Sequence, residues 1–137
     1  MISGFNKQTA PLCEYEREKV LPIMVRCLER HIGSGKAITN AQMCEKMKDY
    51  GYSITESRIR KIINYIRNND LVKCLKASSK GYYVATDKRD MQEYIESLDE
   101  RIAAIQKVRD SIFSQMKMMP EQPPTETELP PTENKKV

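Results

Sequence analysis

Tryptophan is absent from this sequence and histidine occurs once, as His31, so the largest core-filling side chain and any second imidazole are both missing. No Gly-rich loop follows a strand-like run in the manner of a nucleotide site, and no Ser-His-Asp set can be assembled around a single histidine. The acidic residues are mostly spread along the final helix and tail rather than clustered as a metal-dependent nuclease requires. These gaps argue against an enzyme, and neither a cofactor nor a small-molecule substrate is expected.

Long apolar runs are lacking too. Nothing approaches the ~20 apolar residues of a membrane span, and the first residues contain no apolar signal core. The expectation is a cytoplasmic protein with no membrane association. Cys13, Cys27, Cys44 and Cys74 are widely spaced, without the close pairs of a zinc knuckle or redox motif. They read as buried free thiols in a reducing compartment. Cys27 and His31 lie one helical turn apart, but no second pair completes a metal site, so no metal is expected.

What remains is a chain of 137 residues, 31% of them charged, with room for one ordinary domain and tails. Its core must rest on Ile, Leu, Val, Met and a few tyrosines, which suits a small helix-rich domain. The net charge of +4 is unevenly placed. Residues 53–89 hold nine Lys or Arg against Glu56, Asp70 and Asp87, whereas residues 90–137 hold ten acids against six bases. A basic module with an acidic remainder attracts a polyanion to one face.

Along the chain, residues 1–12 show no sustained period and read as a flexible arm. Val20, Leu21, Met24, Cys27, Leu28 and Ile32 recur at helical spacing, predicting a helix that ends at Gly33, with Pro22 in a first turn or at a kink. A very short extended piece follows at Ala37 and Ile38. Thr39 and Gln42 have capping-box spacing, so a helix starts at Asn40, carries Ala41, Met43, Cys44 and Met47, and ends at Gly51. Thr55 caps the next helix, striped by Ile59, Ile62, Ile63 and Ile66 until "NND". "LVKCLKA" and "YYVAT" read as strands joined by the Ser78–Ser79–Lys80–Gly81 turn, one tyrosine ring facing the helices and the other the edge. Asp87 caps a helix over residues 88–117, and residues 118–137 form an acidic, proline-rich tail expected to be disordered. The fold class is mainly α with a small β-hairpin (α+β).

The order helix, tiny strand, helix, helix, strand, turn, strand resembles a winged helix-turn-helix domain over residues 13–87. "AITNAQMCEKM", "RIRKIINYIRNNDLV", "SSKGYYVATD" and "YIESLDERIAAI" are similar to small helix-turn-helix proteins of bacteriophages and bacterial mobile elements. The link "GYSI" is longer than the tight turn of simple repressors. The resemblance implies a double-stranded DNA-binding protein, a transcription regulator or replication accessory, whose third helix reads the major groove while the hairpin grips phosphate.

The residues themselves permit that chemistry. At ~100° per residue, Ser57, Lys61, Asn64 and Asn68 oppose the isoleucine stripe, with Arg60 and Tyr65 beside them and Arg58 and Arg67 at the margins. Lys and Arg neutralise phosphate or bond guanine, and Asn pairs with adenine. Lys73, Lys76, Ser78, Ser79 and Lys80 supply the hairpin's contacts. The bland alternative is an ordinary solvated face.

In the last helix Met91, Ile95, Leu98, Ile102, Ile105, Ile112 and Met116 follow an alternating four-three spacing, with Arg109 the one misfit. Such a helix, ~40 Å long, exposes an apolar seam that calls for homodimerisation, the favoured reading, or for packing against the chain's own first helix and N-terminal arm. An adaptor that uses the domain as scaffold and this helix to bind another protein is the alternative function.

Overall fold

Hydroxyl caps set where the central helices begin. In the computed structural model, which describes residues 10–121, Thr39 Oγ1 accepts from Gln42 N–H (3.1 Å) and Gln42 Oε1 accepts from Thr39 N–H (2.9 Å). This closes a capping box at the head of helix α2, Asn40–Asp49. Its far end is a Schellman turn: Gly51 takes φ +90°, its N–H bonds Lys48 O (2.8 Å), and Tyr52 N–H bonds Met47 O (2.9 Å). Thr55 Oγ1 caps helix α3, Glu56–Asn68, by accepting from Arg58 N–H. α3 ends in the same kind of turn with Asp70 at φ 55°, Leu71 N–H bonding Ile66 O (3.0 Å). Because that turn consumes residues 69–71, the first strand starts later than its β-prone letters suggest.

The first helix, α1, is π-helical over Glu16–Val20 and α-helical over Leu21–Glu29. Pro22 stands in the first turn of the α-helical part, as expected, directly after the π-helical stretch. Leu21 N–H bonds Glu16 O, five residues back, and the widened turn relieves the clash between a proline ring and the carbonyl four residues earlier. The helix ends at Glu29, short of the expected Gly33, because the hairpin residue Val84 claims the next backbone groups. Val84 N–H bonds His31 O (2.7 Å) and Gly33 N–H bonds Val84 O (2.9 Å), leaving Ile32 exposed. His31 Nδ1 donates to Lys36 O (2.7 Å) across a 3-10 turn at Ser34–Lys36.

Strands β1 (Leu75–Ser78) and β2 (Gly81–Val84) pair antiparallel around Ser79 and Lys80, with Leu75 opposite Val84 and Lys76 opposite Tyr83. Ile38 adds a single antiparallel bridge on the other edge of β2, opposite Tyr82. Gly81 is required twice over. Its φ is +124°, and a Cβ there would lie 2.5 Å from Ile38 O, in backbone that cannot swing aside.

One core joins these elements: Val20, Met24 and Leu28 from α1, Ile38, Met43 and Met47 from around α2, the four α3 isoleucines, Val72 and Leu75. Ala41, expected on the α2 stripe, is exposed. The i, i+4 spacing in α1 and α2 and the 59, 62, 63, 66 spacing in α3 put these side chains on facing stripes. Tyr52 and Ile54 anchor the link between α2 and α3 on that core, and Tyr52 meets Tyr15 edge-on at 5.7 Å. The thiols are less buried than expected: Cys13 and Cys74 are exposed, and Cys27 and Cys44 half-buried. Cys74 sits in a loop at φ 60° just before β1, and Cys13 precedes the first helical turn, where no element covers it.

Helix α4, Lys88–Lys117, is capped by Asp87 Oδ1, which accepts from Asp90 N–H (2.8 Å). The chain divides into two compact units, residues 1–95 and residues 96–137. The boundary therefore falls inside α4 rather than ahead of it, because Asp90 and Tyr94 are bonded to the hairpin and α3. Among the described residues no helix is long and apolar enough to cross a membrane. Of the proposed arm, residues 10–12 are described and Arg58 bonds the carbonyls of Ala10 and Pro11; residues 1–9 and 122–137 lie outside the described residues. The whole is a mainly α, α+β chain with one antiparallel hairpin and a long final helix.

Candidate nucleic-acid interface

Burial of Ile59, Ile62, Ile63 and Ile66 fixes the rotation of α3, and with it the opposite face. Asn64 and Asn68 on that face are exposed, and Ser57 and Lys61 partly so. A cleft of about 670 Å³ lies elsewhere, between α1 and α2, lined by Cys27, His31 and Tyr50 among others. The cleft that concerns α3, of about 560 Å³, is lined by Lys61, Asn64, Tyr65, Asn68 and Asn69 together with Pro11, Leu12 and Arg17. Three candidate residues thus share one groove. Arg17, which sequence reasoning missed, brings a further cation to it. Nothing local could have identified Arg17, because its position depends on how α1 crosses α3.

The flanking arginines have other occupations. Arg58 forms a two-pronged bond to Glu16, from Nη2 to Oε1 (2.6 Å) and from Nε to Oε2 (2.9 Å), and donates from Nη1 to Ala10 O (2.7 Å). Glu16 Oε1 also accepts from Cys13 N–H (3.0 Å), the back-reaching half of a capping box. Both side chains are nearly buried, at 12% and 8% exposure. The guanidinium's hydrogen bonds hold the Glu16 carboxyl below its ordinary range against the opposing effect of burial, and Glu16 in turn raises Arg58. Arg58 is therefore a staple between α3 and the segment ahead of α1, not a groove contact.

Arg67 donates to the Tyr94 hydroxyl and, from Nη2, to Asn64 Oδ1 (2.8 Å). This orients the Asn64 amide, whose Oδ1 keeps one lone pair and whose N–H₂ donors stay available. Arg60 lies 3.7 Å from Glu56 in an exposed i, i+4 pair that contributes little. Lys61 and Arg17 have no side-chain hydrogen bond or ion pair among the described residues.

On the hairpin, alternation separates two faces. Leu75, Tyr82 and Val84 pack on the core. Lys76 and Tyr83 occupy the other face, under the first turns of α4: Lys76 Nζ is ion-paired with Asp90 Oδ1, Tyr83 donates to Asp90 Oδ2 (2.8 Å), and Lys76 stands 6.0 Å from the Tyr83 and Tyr94 ring centres. Hydrogen bonds from Lys76, then Tyr83, lower the Asp90 carboxyl; Asp90 raises Lys76, and burial raises the Tyr83 phenol. Lys76 is thus internal. Ser78 Oγ is also committed, donating to Gly81 O (3.0 Å) and accepting from Lys80 N–H (3.2 Å) within the turn. Ser79, Lys80 and Lys73 remain exposed, outside the residues that line the α3 cleft.

The arrangement can therefore offer Arg17, Lys61, Asn64 and Asn68 to an anionic, hydrogen-bonding surface, with Lys73, Ser79 and Lys80 on separate loops. Among the described residues no group of three or more His, Cys, Asp or Glu could hold a metal ion. No protein-family model, no curated protein and no solved structure matches the chain.

Proposed function

We propose that the chain binds double-stranded DNA as a winged helix, laying the outward face of α3 in the major groove while Lys73, Ser79 and Lys80 hold phosphate. The observation that carries this reading is the α3 groove itself. It is open, contains no acid, and combines Lys61 with three asparagines and Arg17. Lysine and arginine there neutralise phosphate or bond guanine acceptors, and asparagine matches the donor and acceptor of adenine. Element order supports the reading as well, since Ile38, just ahead of the α2–α3 pair, makes a single bridge to the edge of the hairpin. A role in transcription regulation or replication is what a resemblance of its motifs to helix-turn-helix proteins of phages and mobile elements would imply.

Titration of the full chain with duplex DNA at rising salt tests this. Affinity should fall linearly on a log–log plot, with a slope of about −0.9 for each phosphate contacted. Lys61→Ala with Asn64→Ala should weaken binding by about 1–3 kcal/mol and relax sequence preference, whereas Lys80→Ala should weaken all sequences about equally. Absence of duplex binding at low salt would transfer the function to protein–protein contacts.

A further inference from the structure

Ile102, Ile105, Val108, Ile112 and Met116 of α4 are each more than half exposed, at 62, 69, 63, 57 and 53%. A continuous apolar face of this kind is uncommon on a monomer. Past the basic pair Lys88 and Arg89 that opens the helix, its charges are segregated. Glu93, Glu96, Asp99 and Glu100 precede Arg101, Lys107, Arg109 and Lys117, with Asp110 the one acid in the second group. Arg109 and Lys117 also stand over the Phe113 ring, at 5.2 and 5.1 Å, so cationic groups border the apolar face in its second half.

We propose that this face is covered by a second copy of the chain whose α4 runs antiparallel. Side-by-side parallel helices would set acid against acid, and would place Arg109 against its own mate in the seam, where two guanidiniums repel. Reversing one helix removes both conflicts. A single register then aligns Ile102 with Ile105, Ile95 with Ile112 and Met91 with Met116 of the partner. In that register Arg109 lies over Leu98, beside Asp99, so its stem covers apolar surface and its head meets a carboxylate. The acidic stretch 93–100 opposes residues 107–114, which hold the bases Lys107 and Arg109 against one acid, Asp110. Ile95 of one copy and Ile95 of the other are then separated by ~25 Å along the axis. The pairing goes beyond DNA binding and does not rest on it.

The test uses the full chain without DNA. Mass by light scattering should give a dimer, and Ile105→Asp should weaken association about a hundredfold or more while helical content and cooperative melting persist. Orientation follows from cysteine pairs in a chain whose native cysteines are replaced. Ile95→Cys mixed with Ile112→Cys should form a disulfide, and neither should cross-link alone. With the native cysteines retained, Asp99→Lys plus Glu100→Lys should weaken the dimer at low salt. A monomer at about 0.1 mM, self-cross-linking of Ile95→Cys, or indifference to the charge reversal would each overturn the proposal.

Discussion

Helices α3 and α4 are both striped with isoleucine, yet they end in opposite situations. The four isoleucines of α3 are at most 1% exposed, whereas Ile102 and Ile105 of α4 are 62% and 69% exposed. In α3 the apolar side is satisfied within the chain, so what it offers outward is polar and cationic. In α4 beyond Ile95 the apolar side is itself on offer. The same periodicity thus serves two kinds of surface, and the distinction lies in whether anything in the chain covers it.

The sharpest way to break this comparison is to shave one isoleucine from each helix. Ile62→Ala should cost about 3–4 kcal/mol in urea unfolding, since a fully enclosed side chain leaves a cavity. Ile105→Ala, measured at concentrations too low for self-association, should change stability by no more than about 0.5 kcal/mol. Equal losses at the two sites would mean that the distal α4 face is covered within one chain.

A smaller effect separates stapling cations from open ones. Arg58→Ala should cost about 2–3 kcal/mol, because it leaves the Glu16 carboxylate nearly buried without its partner. Arg17→Ala should leave stability almost unchanged while weakening duplex binding. If Arg58→Ala is as stable as the parent, its assignment to the fold is mistaken.

The smallest expected effect is a dependence on pH. Glu16 titrates lower in the folded chain than in the unfolded one, so its stabilisation is complete above the unfolded carboxylate pKa and is lost as pH falls through the folded value. The stability gap between parent and Glu16→Gln should therefore be widest near neutrality and close progressively in acid. A gap that stays constant across that window would remove the ion pair as its source.

Much of the fold was legible beforehand. The capping box at Thr39, the cap at Thr55, the Gly51 turn, the isoleucine stripe and the Ser79–Lys80 turn all depend on residues within a single helix or turn, where chemistry and spacing suffice. Misreadings arose where a distant strand intervened: periodicity ran on to Ile32, but Val84 took the backbone groups that would have continued α1. The outward face of α3 was legible, the set of side chains open on it less so. Lys61, Asn64 and Asn68 are where their spacing put them, while Arg58, Lys76 and Ser78 are spent on internal partners and Arg17 was unforeseen.

The order of helices and turns, their caps and the apolar stripes were determined by the sequence alone, because helices and turns close their hydrogen bonds over three to five residues. Which cations stay available was decided only in three dimensions. Glu16 meets Arg58 across 42 residues and Asp90 meets Lys76 across 14, and no local pattern records those pairings because packing of separate elements creates them.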